Sequence, residues 1–377
     1  MKIGIVLYPT FGGSGVVATE LGKALALKGH EIHFITYSQP VRLGSFRENI
    51  YYHEVSISDY PLFEYQPYET ELASKMVDVV KYEHLDLLHV HYAIPHASAA
   101  FMAQQILKSQ GIDIPFITTL HGTDITLVGR DPSFEPVISF CLNASDAVTA
   151  VSKSLMEDTL THFSTKREIH VIPNFIHVPD DLPVINMEKR RQYADDEERI
   201  ICHVSNFRPV KRLEDVIKTF YLIQKEIPAK LLLCGDGPDR AKAEHLGREL
   251  NICQKIKFIG KVRDAGSILQ LSDLFLLPSE TESFGLAALE AMAEGVPVVS
   301  SNTGGIPEVN VHGVSGYLSN VGDVEDMAKH SLEILRDTKT LEQFRQAALT
   351  RASEFKLEKV LPVYEELYEQ VVKSVKV

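Results

Sequence analysis

The chain has 377 residues, 45% apolar and 24% charged, which suits a globular protein of two domains of roughly 150–200 residues each. A formal net charge of −13 argues against nucleic acid or an anionic membrane as principal partner, and no apolar run reaches the roughly 18 residues of a membrane helix. Met1-Lys2 leads straight into a strand-like run, and Cys141, Cys202, Cys234 and Cys253 form no CxxC pair, so a cytoplasmic protein is expected.

Ile3–Leu7 reads as a strand, followed by an amphipathic helix over Gly15–Lys28 that Gly29 ends. Further strands are predicted at Glu31–Thr36, Leu85–His91, Phe116–Leu120 and Asp146–Val151. From about Pro179 to Arg199 no apolar period is sustained, as in an interdomain connection. The alternation then restarts, with strands at Ile200–Val204, Lys230–Cys234, Lys255–Ile259, Leu274–Leu277 and Val296–Ser300. Helices are expected from about Leu213 to Lys225 and Gly285 to Glu294. Strand–helix–strand order implies parallel pairing through right-handed crossovers, so the fold class is α/β with two similar Rossmann-like domains in tandem. The expected division is 1–178 and 179–356. The stretch from about Leu341 reads as helical with a break near Phe355-Lys356, and a last helix over about 357–377 is expected to pack back on the first domain.

Gly12-Gly13-Ser14-Gly15 separates the first strand from the first helix, where glycines let a ligand approach backbone amides. Gly13, Gly15 and Ala18 fit a dinucleotide fingerprint. However, Thr36-Tyr37-Ser38 stands where that fingerprint needs an acid for the ribose, so a phosphate- or acceptor-facing loop is the better reading. The second opening, Ser205-Asn206-Phe207-Arg208-Pro209-Val210-Lys211-Arg212, puts cations after a strand, where open α/β sheets bind ligands. A diphosphate leaving group needs such charge. Glu282-Ser283-Phe284-Gly285-Leu286-Ala287-Ala288-Leu289-Glu290 then sets one carboxylate in a loop and a second on the following helix, able to hold a ribose. Between them, Ser283 to Leu286 offer helix N-terminal amides. Acids near a helix start also occur simply for the dipole, so the segment gains its meaning from the Gly295–Val299 and Thr303–Glu308 runs after it.

His89 and His91 alternate on a strand end with His96 nearby, yet no carboxylate or cysteine completes a metal-ligand spacing there. No D-x-D pair occurs in the chain to hold Mg²⁺ or Mn²⁺ on a diphosphate, so no metal is expected.

The E-x7-E segment, the Arg208/Lys211 loop and His121-Gly122-Thr123-Asp124 together resemble the retaining, GT-B glycosyltransferases of family 4, over nearly the whole chain. Within that family, Gly12–Thr36, His89–Ala97, Thr118–Arg130 and Val204–Arg212 resemble the branch that joins UDP-GlcNAc to L-malate, the first step of bacillithiol biosynthesis. The resemblance implies two domains facing across a cleft, no cofactor beyond the co-substrate UDP-GlcNAc, and self-association. It assigns Glu290 to the ribose and Glu282 to a sugar hydroxyl. Arg208 and Lys211 would meet the diphosphate, with Gly13, Gly15, Asn206 and the Ser283, Phe284, Gly285 and Leu286 amides beside it. Lys261-Val262 would meet uracil through backbone, and His121 the sugar. For the malate carboxylates the candidates are Ser14, Tyr92, Thr123 and Arg130, with Lys75, Arg42 and Arg47 behind them. Competing readings are a family 4 enzyme with a lipid or inositol phosphate acceptor, a UDP-sugar epimerase, and a nucleotide-sugar-binding protein without transfer activity.

Overall fold

The computed structural model describes residues 1–10, 12–44, 48–56, 66–262 and 264–375, with the main chain alone at Arg130. Arg47 and the Arg130 side chain therefore lie outside the described residues. The chain forms two compact units, Met1–Asn174 with Glu358–Val377, and Phe175–Leu357.

Unit 1 holds a parallel sheet of β1 (Lys2–Val6), β2 (Glu31–Thr36), β3 (Ile50–Glu54), β4 (Leu87–His91), β5 (Phe116–Leu120), β6 (Ala147–Ala150) and β7 (Ile169–Val171). Its spatial order is β3-β2-β1-β4-β5-β6-β7. Unit 2 holds β8 (Arg199–Ser205), β9 (Ala229–Gly235), β10 (Ile256–Gly260), β11 (Leu274–Leu277), β12 (Val298–Ser301) and β13 (Gly316–Ser319), in the order β10-β9-β8-β11-β12-β13. Counted within unit 2, that order is 3-2-1-4-5-6, the doubly wound arrangement, and unit 1 adds a seventh strand to it. The direction of winding reverses between β1 and β4 in unit 1 and between β8 and β11 in unit 2, where loops part and ligands can enter.

The interior strands could be located because helices cover both faces, leaving near-continuous apolar runs; every residue of β4, β5 and β6 is buried. Of the four strands at the sheet margins only β10, expected at Lys255–Ile259, was legible in this way. β3 buries only Ile50 fully and otherwise presents Tyr, His and Glu, while β7 has three residues and β13 four. The first helix spans Gly13–Leu27, two residues earlier than expected, so Gly13, Ser14 and Gly15 form its first turn rather than a loop.

The terminal helix, Leu357–Val375, buries Val360, Leu361, Tyr364, Leu367, Tyr368, Val371 and Val372, a stripe of three- and four-residue spacing. From Glu358 on it belongs to unit 1. Tyr368 meets a strand there, its Oη lying 2.8 Å from Nδ1 of His89 in β4.

At the opposite end of unit 2's sheet from its switch-point loops, a buried ion pair ties the connecting segment to two strands. Arg190, on the short helix Met187–Arg190, donates to Asp273 at 2.8 Å, with the two side chains 7% and 6% exposed. Asp273 also accepts from the Ile200 amide at 2.8 Å, and Arg190 donates to the carbonyls of Glu198 and Leu271.

Candidate active site

In unit 2, β8 and β11 are neighbours, so the segments after Ser205 and Leu277 emerge side by side. A backbone bond from Glu280 to Val210 at 2.8 Å ties them together. Across this junction Lys211 Nζ donates to Glu282 Oε1, and Ser279 Oγ donates to the same oxygen at 3.0 Å. The ion pair is only 21% and 15% exposed, so water screens it less than a surface pair. Of the three cations in the first loop, Arg212 is committed elsewhere, its Nε bonded to the buried Asp215 at 2.6 Å. Arg208 stands exposed. Arg212 and Lys211 are thus each paired with a carboxylate, Lys211 with the motif residue Glu282 itself, and Arg208 is the exposed cation of the three.

Glu282 is followed by Ser283, Phe284 and the N-cap Gly285, and the helix Leu286–Ala293 begins with no side-chain cap. Its first amides are available to an acceptor of another kind. Glu290 sits on the second turn, half-buried. Phe284 anchors the loop: only 3% exposed, its ring packs edge-on against Phe355 at 5.7 Å. The Thr303-Gly304-Gly305 turn lies directly against that loop. Gly305 donates to the Glu282 carbonyl at 2.9 Å, and at Gly304 (φ +55°) a Cβ would stand 2.0 Å from the same oxygen. These glycines let one backbone press against another and so hold Glu282 in place.

Two supports of this half went unread in the sequence. Gly235, the last residue of β9, and Gly237 after it press on the 205–207 turn; at Gly235 (φ +134°) a Cβ would fall 1.8 Å from the Ser205 carbonyl. The Gly-Asp-Gly-Pro run directly after an apolar strand was the available signal. Beneath the turn, buried His203 donates from Nδ1 to the Leu276 carbonyl at 2.8 Å. Its Nε2 therefore accepts from Ser205 Oγ, also at 2.8 Å. Burial lowers this imidazole to about 4, keeping it neutral. Asn206 is exposed on the same turn. Val262 follows edge strand β10, with β9 between β10 and β8.

In unit 1 the β1/β4 junction is bridged by Ser14 Oγ and Tyr92 Oη, 2.6 Å apart. Tyr92 packs against Tyr8 and His121, and burial raises its phenol to about 12, so it stays protonated. Gly13 is the exposed first residue of the Gly13–Leu27 helix, whose first turn holds no acid and no side-chain cap. At Gly15 a Cβ would stand 2.5 Å from the Tyr8 carbonyl, which gives this residue a packing reason of its own. Thr123 is exposed after β5, and beside it Asp124 is buried. Asp124 accepts from the Ala93 amide at 2.8 Å and the Gly122 amide at 3.1 Å, joining the post-β4 and post-β5 segments. Burial raises its carboxyl to about 6.

His121, half-buried at the end of β5, lies with Nε2 2.8 Å from Nδ1 of His91. His89 is engaged by Tyr368 and Thr119, and His96 by the His91 carbonyl and Tyr68, so these strand-end histidines are tied into hydrogen bonds. Among the described residues, His33, His53 and Glu83 also bring potential ligand atoms within 4.8 Å of one another. There His33 Nδ1 and His53 Nε2 lie 2.9 Å apart, a hydrogen-bond distance that takes up the two nitrogens facing each other.

The family profile "Glycosyltransferase Family 4" matches residues 11–178, and "Glycosyl transferases group 1" matches 185–351. N-acetyl-alpha-D-glucosaminyl L-malate synthase of Bacillus anthracis is 46% identical over 376 residues, 99% of this chain and 98% of the relative. The chain is a family 4 glycosyltransferase. Among solved structures, sucrose-phosphate synthase from Thermosynechococcus elongatus aligns with a TM-score of 0.80 at 22% identity over 99% of each chain. HepE from Anabaena, solved with UDP and glucose, aligns at 0.81 and 19% identity over 98% of this chain and 99% of its own. These likenesses give this glycosyltransferase the GT-B fold. Among its described residues no helix is long and apolar enough to cross a membrane.

Proposed function

We propose that this glycosyltransferase moves GlcNAc from UDP-GlcNAc to the hydroxyl of L-malate with retention at the anomeric carbon, in the cytoplasm and without a metal. The observation that carries the donor half is the meeting of Lys211 and Ser279 on Glu282 beside the uncapped Leu286–Ala293 helix. The acceptor half rests on the Bacillus anthracis relative, named for a glucosaminyl malate product and matched over nearly its whole length. In this reading Arg208, Lys211 and the Ser283–Leu286 amides take the diphosphate, Glu290 the ribose, Glu282 a sugar hydroxyl and the Val262 backbone the uracil. Gly13, Gly15 and Asn206 flank the phosphates, His121 faces the sugar, and Ser14, Tyr92, Thr123 and Arg130 hold malate.

Both motif glutamates are occupied in binding, so neither serves as a nucleophile. The bond from the anomeric carbon to the diphosphate breaks, the malate oxygen attacks the same face, and its proton passes to the departing phosphate. Cations and fixed amides neutralise the charge that grows there. Self-association is part of the same proposal, and light scattering on the purified chain reads it.

The test is UDP release from UDP-GlcNAc against a panel of small hydroxy acids, run with and without EDTA. Malate is expected to stimulate release, and EDTA to leave the rate unchanged. Equal release with every acid would remove malate, and a rate lost to EDTA and restored by Mn²⁺ would remove the metal-free mechanism. Separately, Glu290→Ala is expected to weaken UDP binding by about 1.5–3 kcal/mol, as for a hydrogen bond to a charged group. Calorimetry with UDP alone reads this, and an unaltered affinity would cancel the ribose assignment.

A further inference from the structure

A column of aromatic side chains runs through unit 1 from the end of β5 to the terminal helix. The rings of His89 and His91 are 4.4 Å apart, and those of His91 and His121 are 5.0 Å apart and inclined by 25°. At the inner end His89 has a partner on each nitrogen, Tyr368 Oη at 2.8 Å and Thr119 Oγ1 at 2.7 Å. His91 is different. Its Nδ1 faces His121 Nε2 at 2.8 Å, while its own Nε2 is buried with no hydrogen-bond partner among the described residues.

A neutral imidazole carries one N–H, so a proton must lie between the two facing nitrogens and belong to one of them. Were it on His121, the single proton of His91 would sit on Nε2, a buried N–H with nothing to accept it. Orphaned buried N–H groups are rare in folded proteins, whereas a spare acceptor is tolerated more often. With the proton on His91 Nδ1, the buried orphan becomes a bare lone pair, and the one remaining N–H of the pair is the Nδ1–H of half-buried His121. Doubly protonated His91 is not an option, because burial and the flanking imidazoles push it well below the ordinary histidine range.

We propose that His91 is a positioning residue that holds His121 in its Nδ1–H tautomer, so that His121 offers a hydrogen-bond donor, and not a base, to an oxygen of the bound sugar nucleotide. The inference rests on the proposed function, in which His121 faces the donor. It deepens that function in one respect: His121 has no lone pair on its ligand-facing nitrogen, so it does not remove the acceptor's proton. That proton is left for the departing phosphate.

Asparagine and aspartate have nearly the same shape, and either places a polar atom near the position of His91 Nδ1. Only asparagine can donate from there to His121 Nε2. His91→Asn is therefore expected to keep kcat/KM close to wild type. His91→Asp, which accepts a hydrogen bond from Nε2–H and so reverses the tautomer, is expected to lower it about 10–100-fold, as for loss of an outer-shell orienting partner. A packing role alone would not separate two side chains of equal size. Long-range ¹H–¹⁵N spectra of the histidine-labelled full chain, with the His121 signals assigned from His121→Gln, should show protonated Nδ1 and bare Nε2 in wild type and in His91→Asn. An Nε2–H pattern at His121 in wild type would overturn the proposal, as would equal losses in the two variants. If His91→Asp does not fold, the wild-type and His91→Asn spectra decide alone. The spectra require no substrate, so a failure of UDP release would count against the proposed function and leave the tautomer standing.

Discussion

Lys211→Ala is expected to lower kcat about 10²–10³-fold, or roughly 3–4 kcal/mol of barrier, with a smaller change in donor affinity. The ammonium is placed before the substrate arrives, held by Glu282 in a site where both side chains are largely withdrawn from water. Its attraction to the diphosphate grows as the glycosidic bond breaks and charge collects on the leaving oxygen. An interaction that strengthens toward the transition state appears in kcat rather than KM. The substitution also leaves the Glu282 carboxylate with Ser279 as its remaining side-chain donor, which disturbs the sugar contact assigned to it. Arg208 should not replace the lost charge, since it stands exposed, where water screens a cation more than at Lys211. Steady-state kinetics with saturating acceptor, paired with UDP calorimetry, gives the split. A raised KM at unchanged kcat would mean that Lys211 binds the donor uniformly and does not stabilise the leaving group.

The second large effect is on stability. Asp273→Ala should cost about 3–5 kcal/mol, because it strands the buried Arg190 guanidinium instead of removing a pair. It also deprives the Ile200 amide, at the start of β8, of its 2.8 Å acceptor. Denaturant unfolding followed through the transition of unit 2 measures the loss. Replacing both partners by apolar residues, Arg190→Met with Asp273→Leu, should recover most of it, since the desolvation of two charges is then relieved. A single-variant loss under about 1 kcal/mol would show that water reaches the guanidinium once Asp273 is removed.

How much of the fold is legible in the sequence follows from burial. Strands covered on both faces wrote themselves as apolar runs, and β2, β5 and β11 were placed to the residue. Marginal strands such as β3 carry polar side chains because one face or edge meets water, and their pattern resembles a loop. Cations and carboxylates of the Arg208–Lys211 and Glu282–Glu290 segments stood out since their spacing brackets a helix start. Which of those cations is usable was not legible: Arg212 and Lys211 are neighbours in sequence, and only the fold shows one bound to Asp215 and the other to Glu282. The same holds for His203, which supports backbone three strands on in sequence, and for the Gly235 turn, which supports the end of the preceding strand. His91 looked like one of several strand-end histidines. Its importance lies in an unshared nitrogen, which no spacing rule reports.

The membership of the terminal helix has a consequence for synthesis. Unit 2 is one uninterrupted stretch of chain, whereas the layer of side chains around His89 closes only when Tyr364 and Tyr368 are delivered from the helix that follows unit 2. On the ribosome, the portion made first is thus the portion finished last, with Phe175–Leu357 able to consolidate beforehand. A nascent chain halted before Leu357 would leave His89 without Tyr364 and Tyr368 against it, an uncovered patch of the sheet for chaperones to guard.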